Sequence, residues 1–99
     1  MYPNEEGARF DWTYYLDVHI PLVERELGPA LKSFAIDRGL GGVEPGAPAR
    51  FVAMAHLSFE SMESFQAAFD PRAGEIMGDI PNFTSIEPIV QFSEVKRAH

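Results

Sequence analysis

The stretch ARFDWTYYLDVHIPLV, residues 8 to 23, decides how the chain folds. Its apolar side chains recur with the period of an α-helix and form a face about 120° wide that continues past this stretch. That face carries Trp12, Tyr15, Leu16, His19, Val23 and Leu27. Asp11 is a typical N-cap and Gly28 a typical helix end, so the sequence predicts an amphipathic helix between them. Because Pro21 removes one backbone hydrogen bond, it predicts a kink or break near Ile20.

Two strands are predicted after this helix. Residues 31 to 38 carry Phe34 and Ile36 with the period of two that is typical of a strand. Residues 51 to 59 alternate over their whole length, with one row entirely apolar and a second row that still contains Val52 and Met54. Since water facing a sheet favours polar side chains, we expect something to cover this second row. The segment between the strands, residues 39 to 49, holds four Gly and two Pro and is predicted to be a loop.

A second helix and a last strand complete the predicted order. Ser61 is a candidate N-cap for a helix whose inner face carries Met62, Phe65 and Phe69. The pair Asp70-Pro71 predicts an interruption and a restart, and Gly78 predicts the end. Residues 86 to 95 alternate as a strand, in which Pro88 favours an edge position or a bulge. The predicted order is therefore helix, strand, strand, helix, strand.

Composition limits the class of protein. The 99 residues suit a single domain, residues 1 to 99, and 45% hydrophobic with 23% charged residues is typical of a globular chain. The formal net charge of −7 disfavours nucleic acid as a partner. The absence of cysteine excludes disulfides and thiolate sites and favours the cytoplasm. Every apolar run is far shorter than the roughly 20 residues that span a bilayer, so we expect no membrane partner.

Two stretches of the chain resemble the EthD-domain family. In residues 8 to 23 the similarity lies in the spacing of an Asp, a Tyr pair, a His and a Pro-Leu pair, namely Asp11, Tyr14, Tyr15, His19, Pro21 and Leu22. GDIPNFTSIEPIVQFSEV, residues 78 to 95, resembles the turn and last strand of that family, and YPN at residues 2 to 4 resembles the segment after its first strand. The resemblance implies an α+β, ferredoxin-like βαββαβ fold: an antiparallel sheet with two helices on one face. Because Met1 directly precedes YPN, we expect the first strand to be largely missing.

The same resemblance implies a homodimer of the dimeric α+β barrel type, in which two sheets pack face to face. It also implies a setting in the oxidative degradation of ethers, alongside a cytochrome P450 oxygenase system as a partner. Related barrels include cofactor-free monooxygenases, lactone isomerases and polyketide-modifying enzymes. A fold supports many reactions, so the reaction must be argued from the site itself.

His19 and Tyr15 are the candidate catalytic residues. His19 follows Tyr15 by one turn on the apolar helix face, so its imidazole should point between helix and sheet. There it could act as an acid-base group on a phenolic or enolic substrate, with the Tyr15 hydroxyl donating to an oxyanion. The alternative is a core histidine bonded to a carbonyl that Pro21 leaves free. The candidate ligand-contacting residues are Trp12, Leu16, Phe65 and Phe69.

The sequence does not favour the other two histidines as catalytic residues. His56 lies on the second row of its strand and should face the dimer interior, and His99 belongs to the polar tail. The wide spacing of the three histidines matches no metal motif, so we expect no metal and no cofactor. Haem ligation by His19, by resemblance to distant barrel relatives, is a minor alternative. Two hypotheses remain: an enzyme acting on a hydrophobic, oxygenated small molecule, with oxidoreductase-associated or cofactor-independent acid-base chemistry, or a non-catalytic ligand-binding or accessory protein of an oxygenase system.

Overall fold

Three antiparallel strands form the sheet in the computed structural model, which describes residues 1–96. The strands are β1 (Tyr2–Pro3), β2 (Ser33–Arg38) and β3 (Phe51–Ser58), in the order β1-β3-β2. Tyr2 pairs with Ala53 on one side of β3, and Ile36 pairs with Ala55 on the other. The predicted α+β class is confirmed, and the first strand is as short as expected, at two residues.

The first helix, α1, runs without a break over residues 12–27. An α-helical turn, Trp12–Tyr14, leads into a π-helical segment, Tyr15–His19, and then into an α-helical segment, Ile20–Leu27. The predicted cap is confirmed, because the Tyr14 amide donates to the Asp11 carboxylate at 3.0 Å. The predicted distortion near Ile20 is present as a change of helix type, because the π-helical segment ends at His19, but the helix does not break there. The wider π-helical turn, in which the Ile20 amide donates to the Tyr15 carbonyl, carries the chain into the segment that contains the proline.

The second helical region is divided as the sequence predicts. The helix α2 (Met62–Phe69) begins where the Ser64 amide donates to the Ser61 hydroxyl at 3.0 Å. A 3₁₀ turn, Asp70–Arg72, then leads into α3 (Ala73–Gly78). Further 3₁₀ turns follow both helical regions, at Gly28–Ala30 and Ile80–Asn82. Within residues 1–96, no helix combines the length and the apolar character needed to cross a membrane.

The predicted last strand over residues 86–95 is wrong. These residues form no strand, although Met1 and Ile89 exchange two backbone hydrogen bonds, of 2.7 and 2.9 Å. The physical reason is that a strand needs a neighbour of matching length, and β1 offers only two residues. Pro88 also lacks an amide hydrogen. The segment therefore lies beside the start of the chain and is joined to it by the backbone hydrogen bonds between Met1 and Ile89.

An aromatic cluster fills the space between α1 and the sheet. Its two largest fully buried side chains are Tyr15 and Phe83, 1% and 0% exposed. The other buried members are Tyr2, Ile20, Ala53, Ile80 and Ile86. A second, smaller cluster joins the end of α1 to α3 through Val23, Leu27 and Ile76. Together the clusters fix α1 between the sheet and the turn that follows α3.

Candidate active site

The π-helical segment of α1 brings two polar aromatic side chains into the interior. Tyr15 and His19 are 1% and 4% exposed, and their rings stack with centroids 5.7 Å apart. Phe83 packs against both rings, at 5.0 and 4.7 Å between centroids. The imidazole of His19 is therefore held on two sides, which fixes its orientation.

A carboxylate holds one nitrogen of that imidazole. Asp79, directly after α3, places Oδ2 2.9 Å from Nδ1 of His19. Because an ionised carboxylate only accepts hydrogen bonds, this contact assigns the ring hydrogen of neutral His19 to Nδ1. The second nitrogen, Nε2, is left with a free lone pair. A carboxylate that orients a histidine in this way is the arrangement used by histidine bases in enzymes.

Two further donors hold the other oxygen of Asp79. The Tyr14 hydroxyl donates to Oδ1 at 2.6 Å and the Asn82 side-chain amide donates to the same atom at 2.9 Å. Burial by itself would raise the pKa of Asp79, but the hydrogen bonds from Tyr14, Asn82 and His19 outweigh it and hold that pKa below its ordinary value. The same contact with Asp79 raises the pKa of the Tyr14 hydroxyl. Asp79 is therefore an anion at neutral pH.

An open cavity of about 950 Å³ adjoins this network. Its walls come from α1, from the end of β3, from α2 and α3, and from the segment 88–95. His19 and Tyr15 line it, whereas Asp79 lies behind His19. Phe65 and Phe69 stack at 5.0 Å and form part of its apolar wall. The cavity thus combines an apolar wall with a polar end around His19 and Tyr15, and further polar side chains line it elsewhere, among them Glu60, Gln91 and Glu94.

The polar end presents groups without partners. Among residues 1–96, nothing hydrogen-bonds to Nε2 of His19 or to the hydroxyls of Tyr2 and Tyr15, yet no fully buried side-chain N or O atom lacks a partner. These atoms are therefore accessible, and since all three residues line the cavity, they face into it. Burial raises the pKa of Tyr15 to about 12, so its hydroxyl keeps its hydrogen at neutral pH.

Two of the predicted ligand-contacting residues lie elsewhere. Leu16 is 46% exposed, and Trp12 packs on Phe10 with the Arg38 guanidinium 5.9 Å from its ring, so neither lines the cavity. The prediction assumed 3.6 residues per turn along all of α1. The π-helical turn is wider, which rotates these positions away from the face that carries His19.

His56 lies on the row of β3 that alternates with the buried Ala53, and it also contributes to the cavity wall. It is exposed and its Nε2 lies 2.9 Å from Oδ2 of Asp37 on the neighbouring strand. Residues 1–96 contain no group of three or more His, Asp or Glu side chains placed to hold a metal ion. His99 lies outside the described residues.

Asp79, Tyr14 and Asn82 were not recognised as site residues from the sequence. Each has an ordinary explanation there, since Asp and Asn favour turns and Tyr14 precedes the buried Tyr15. A usable signal nevertheless existed. Tyr14 and His19 belong to the first stretch that carries the family resemblance, and Asp79 and Asn82 belong to the second. In the structure, side chains from both stretches hydrogen-bond to the Asp79 carboxylate.

Comparison with known proteins identifies the family of this chain. The family model described as the EthD domain matches residues 6–87. The chain belongs to the EthD domain family. It is 47% identical to an EthD-like protein from Ralstonia eutropha JMP134, and the match covers 99% of this chain and 90% of that one. The crystal structure of that EthD-like protein agrees with the present fold at a TM-score of 0.92. No curated protein matches the sequence.

Proposed function

We propose that this EthD-domain protein is an acid-base enzyme whose base is Nε2 of His19. One observation carries the proposal: Nε2 is unpaired and accessible from the cavity, while Nδ1 is held at 2.9 Å by an ionised carboxylate. A histidine that served only the core would use both nitrogens inside the protein or pack its free nitrogen away from any cavity. Here the free nitrogen faces the cavity, so it is available to a ligand.

The groups at the polar end suit proton removal next to a carbonyl. Nε2 of His19 would take the proton from the carbon beside the carbonyl, and the electron pair of that C–H bond would form the enolate. The carbonyl oxygen would gain the negative charge, which the Tyr15 hydroxyl would stabilise by donating a hydrogen bond. Imidazolium would then return the proton to the same carbon or, in a conjugated substrate, to another one.

The walls of the cavity define the rest of the ligand. Phe65, Phe69 and their apolar neighbours favour a hydrophobic body, while the polar end accepts one oxygenated group. The ligand is therefore a hydrophobic, oxygenated small molecule with an enolisable carbonyl. The family resemblance adds a setting, the oxidative degradation of such compounds, in which a P450-type oxygenase would supply the oxygenated ligand. A non-catalytic binding or accessory role for that oxygenase is the alternative.

Hydrogen-deuterium exchange on a simple ketone tests this proposal. We expect the native protein in D₂O to accelerate deuterium incorporation beside the carbonyl of 2-tetralone, a hydrophobic and enolisable ketone, relative to buffer. Proton NMR of the ketone measures the rate. Binding of 2-tetralone without faster exchange would contradict the acid-base proposal and support the non-catalytic alternative. Exchange no faster than in buffer, with no binding, would contradict both for this class of ligand.

We also propose that the protein works as a homodimer through the outer face of the sheet. Val52 and Met54 lie on the row of β3 that alternates with the buried Ala53 and are partly exposed in the single chain, although Val52 also packs against the aromatic cluster and Met54 also lines the cavity. Association would remove their apolar surface from water. Static light scattering at micromolar concentration should give about 22 kDa, twice the chain mass of 11.0 kDa.

A charge placed on the proposed interface should separate the dimer. We expect Met54→Glu to lower the mass to that of one chain, because association would bury an unpaired carboxylate. Gln66→Glu introduces the same carboxylate at an exposed position of α2 and should leave the mass unchanged. A native mass of one chain, or a dimer that tolerates Met54→Glu, would be inconsistent with this interface.

A further inference from the structure

We propose that Tyr14 and Asn82 are positioning residues that fix the Asp79 carboxylate against His19, so that neutral His19 carries its hydrogen on Nδ1 and presents Nε2 to the cavity. This inference rests on the proposed function of His19. It assigns a task to two residues that touch neither the cavity nor the ligand, and it explains why Asp79 has three donors.

The two carboxylate oxygens of Asp79 have different hydrogen-bond partners. Oδ1 receives Tyr14 at 2.6 Å and Asn82 at 2.9 Å, whereas Oδ2 faces Nδ1 of His19 at 2.9 Å. A carboxylate turns about its bond to the β-carbon unless both oxygens are held. With Oδ1 held by two donors, Oδ2 can only remain at His19. The Asn82 amide also lies 3.4 Å from the Tyr14 hydroxyl, so the two donors support each other.

The three elements that supply these groups are themselves fixed. The Tyr14 ring stacks on the fully buried Phe83, with centroids 6.2 Å apart and planes 24° apart. Asn82 belongs to the 3₁₀ turn that begins just after Asp79, and its backbone amide donates to the Asp79 carbonyl at 3.0 Å. Arg9 holds the same turn by donating to the carbonyls of Pro81 and Asn82. Removing one side-chain donor therefore leaves the backbone around Asp79 in place.

Electrostatics gives the arrangement a second effect. The hydrogen bonds that hold Asp79 also stabilise its charged form, which keeps the carboxylate ionised under more acidic conditions than an ordinary aspartate. An ionised carboxylate can only accept a hydrogen bond, so a stable charge on Asp79 favours the form of neutral His19 that carries its hydrogen on Nδ1 and its lone pair on Nε2. The donors thus set the charge of Asp79 as well as its orientation.

NMR titration of the native protein and Tyr14→Phe tests the proposal without any substrate. The carboxyl ¹³C shift of Asp79 reports its pKa, and the imidazole ¹⁵N shifts of His19 report which nitrogen carries the hydrogen. In Tyr14→Phe the ring stays on Phe83 and only the hydroxyl is lost. We expect the pKa of Asp79 to rise measurably toward its ordinary value, because one of the hydrogen bonds that lower it is lost, and the Nδ1–H form of His19 to give way to a mixture. Adding Asn82→Ala should increase both changes.

Tyr2→Phe is the matched control. Tyr2 belongs to the same aromatic cluster, but its hydroxyl makes no hydrogen bond to Asp79. The variant should leave both readouts at their native values. A native Asp79 titration and a native His19 form in Tyr14→Phe would overturn the proposal, as would an equal change in Tyr2→Phe. If the NMR changes occur but the protein accelerates no exchange on 2-tetralone, the positioning role holds and the proposed function fails for this class of ligand.

Discussion

Replacing His19 with Asn is expected to lower the rate of deuterium exchange into 2-tetralone by about 10²-fold or more. General acid-base groups contribute about 10² to 10⁴-fold, and Asn cannot accept a proton. The asparagine side-chain nitrogen takes nearly the place of Nδ1, so it keeps a donor for Asp79. We therefore expect the variant to remain folded and to bind the ketone with nearly native affinity. Proton NMR of the ketone and the melting temperature are measured side by side.

His56→Asn provides a control of the same chemistry. His56 also lies 2.9 Å from an aspartate and contributes to the β3 side of the cavity wall, but its side chain is 55% exposed. Its Nε2, the nitrogen that is free in His19, is the one held by Asp37. We expect this variant to exchange deuterium at the native rate. A folded His19→Asn protein with the native rate would remove His19 as the base. If instead activity falls only in proportion to unfolding, His19 is a core histidine, and the loss would be a stability effect of about 1–3 kcal/mol.

Phe83→Ala should be the most destabilising single change near the site. The ring is 0% exposed and contacts Tyr2, Phe10, Tyr14, Tyr15 and His19. Removing a buried phenylalanine ring costs about 3–5 kcal/mol, through lost burial and the cavity left behind. Since domains of this size are stable by about 5–15 kcal/mol, we expect the melting temperature to fall by about 10 °C or more. Thermal and urea unfolding, followed by circular dichroism, measure the change.

Phe92→Ala removes the same ring from a different environment. Phe92 is 58% exposed in the segment 88–95, although it touches Phe65 at 5.2 Å between centroids. We expect its loss to cost less than about 1 kcal/mol, because most of its surface already faces water. Equal losses from both variants would contradict the assignment of the core to the Phe83 cluster.

The helices were predictable because their signals are local. Asp11 and Ser61 cap their helices through contacts three residues away, and the Asp70-Pro71 pair interrupts the second helical region by backbone constraint alone. The last strand was not predictable in the same way. Alternation over residues 86–95 describes which side chains could share a face, but a strand exists only where a neighbouring backbone supplies its hydrogen bonds.

Local sequence patterns were enough to predict the α+β class, the two helical regions, the strands β2 and β3 and the inward position of His19. Tertiary structure decided the chemistry of that histidine. Asp79 lies 60 residues further along the chain, and Tyr14 reaches it across 65 residues. No periodicity connects positions so far apart, and the π-helical turn that aims His19 departs from the regular period on which sequence patterns depend. Which nitrogen is free, and where it faces, follows only from the packed structure.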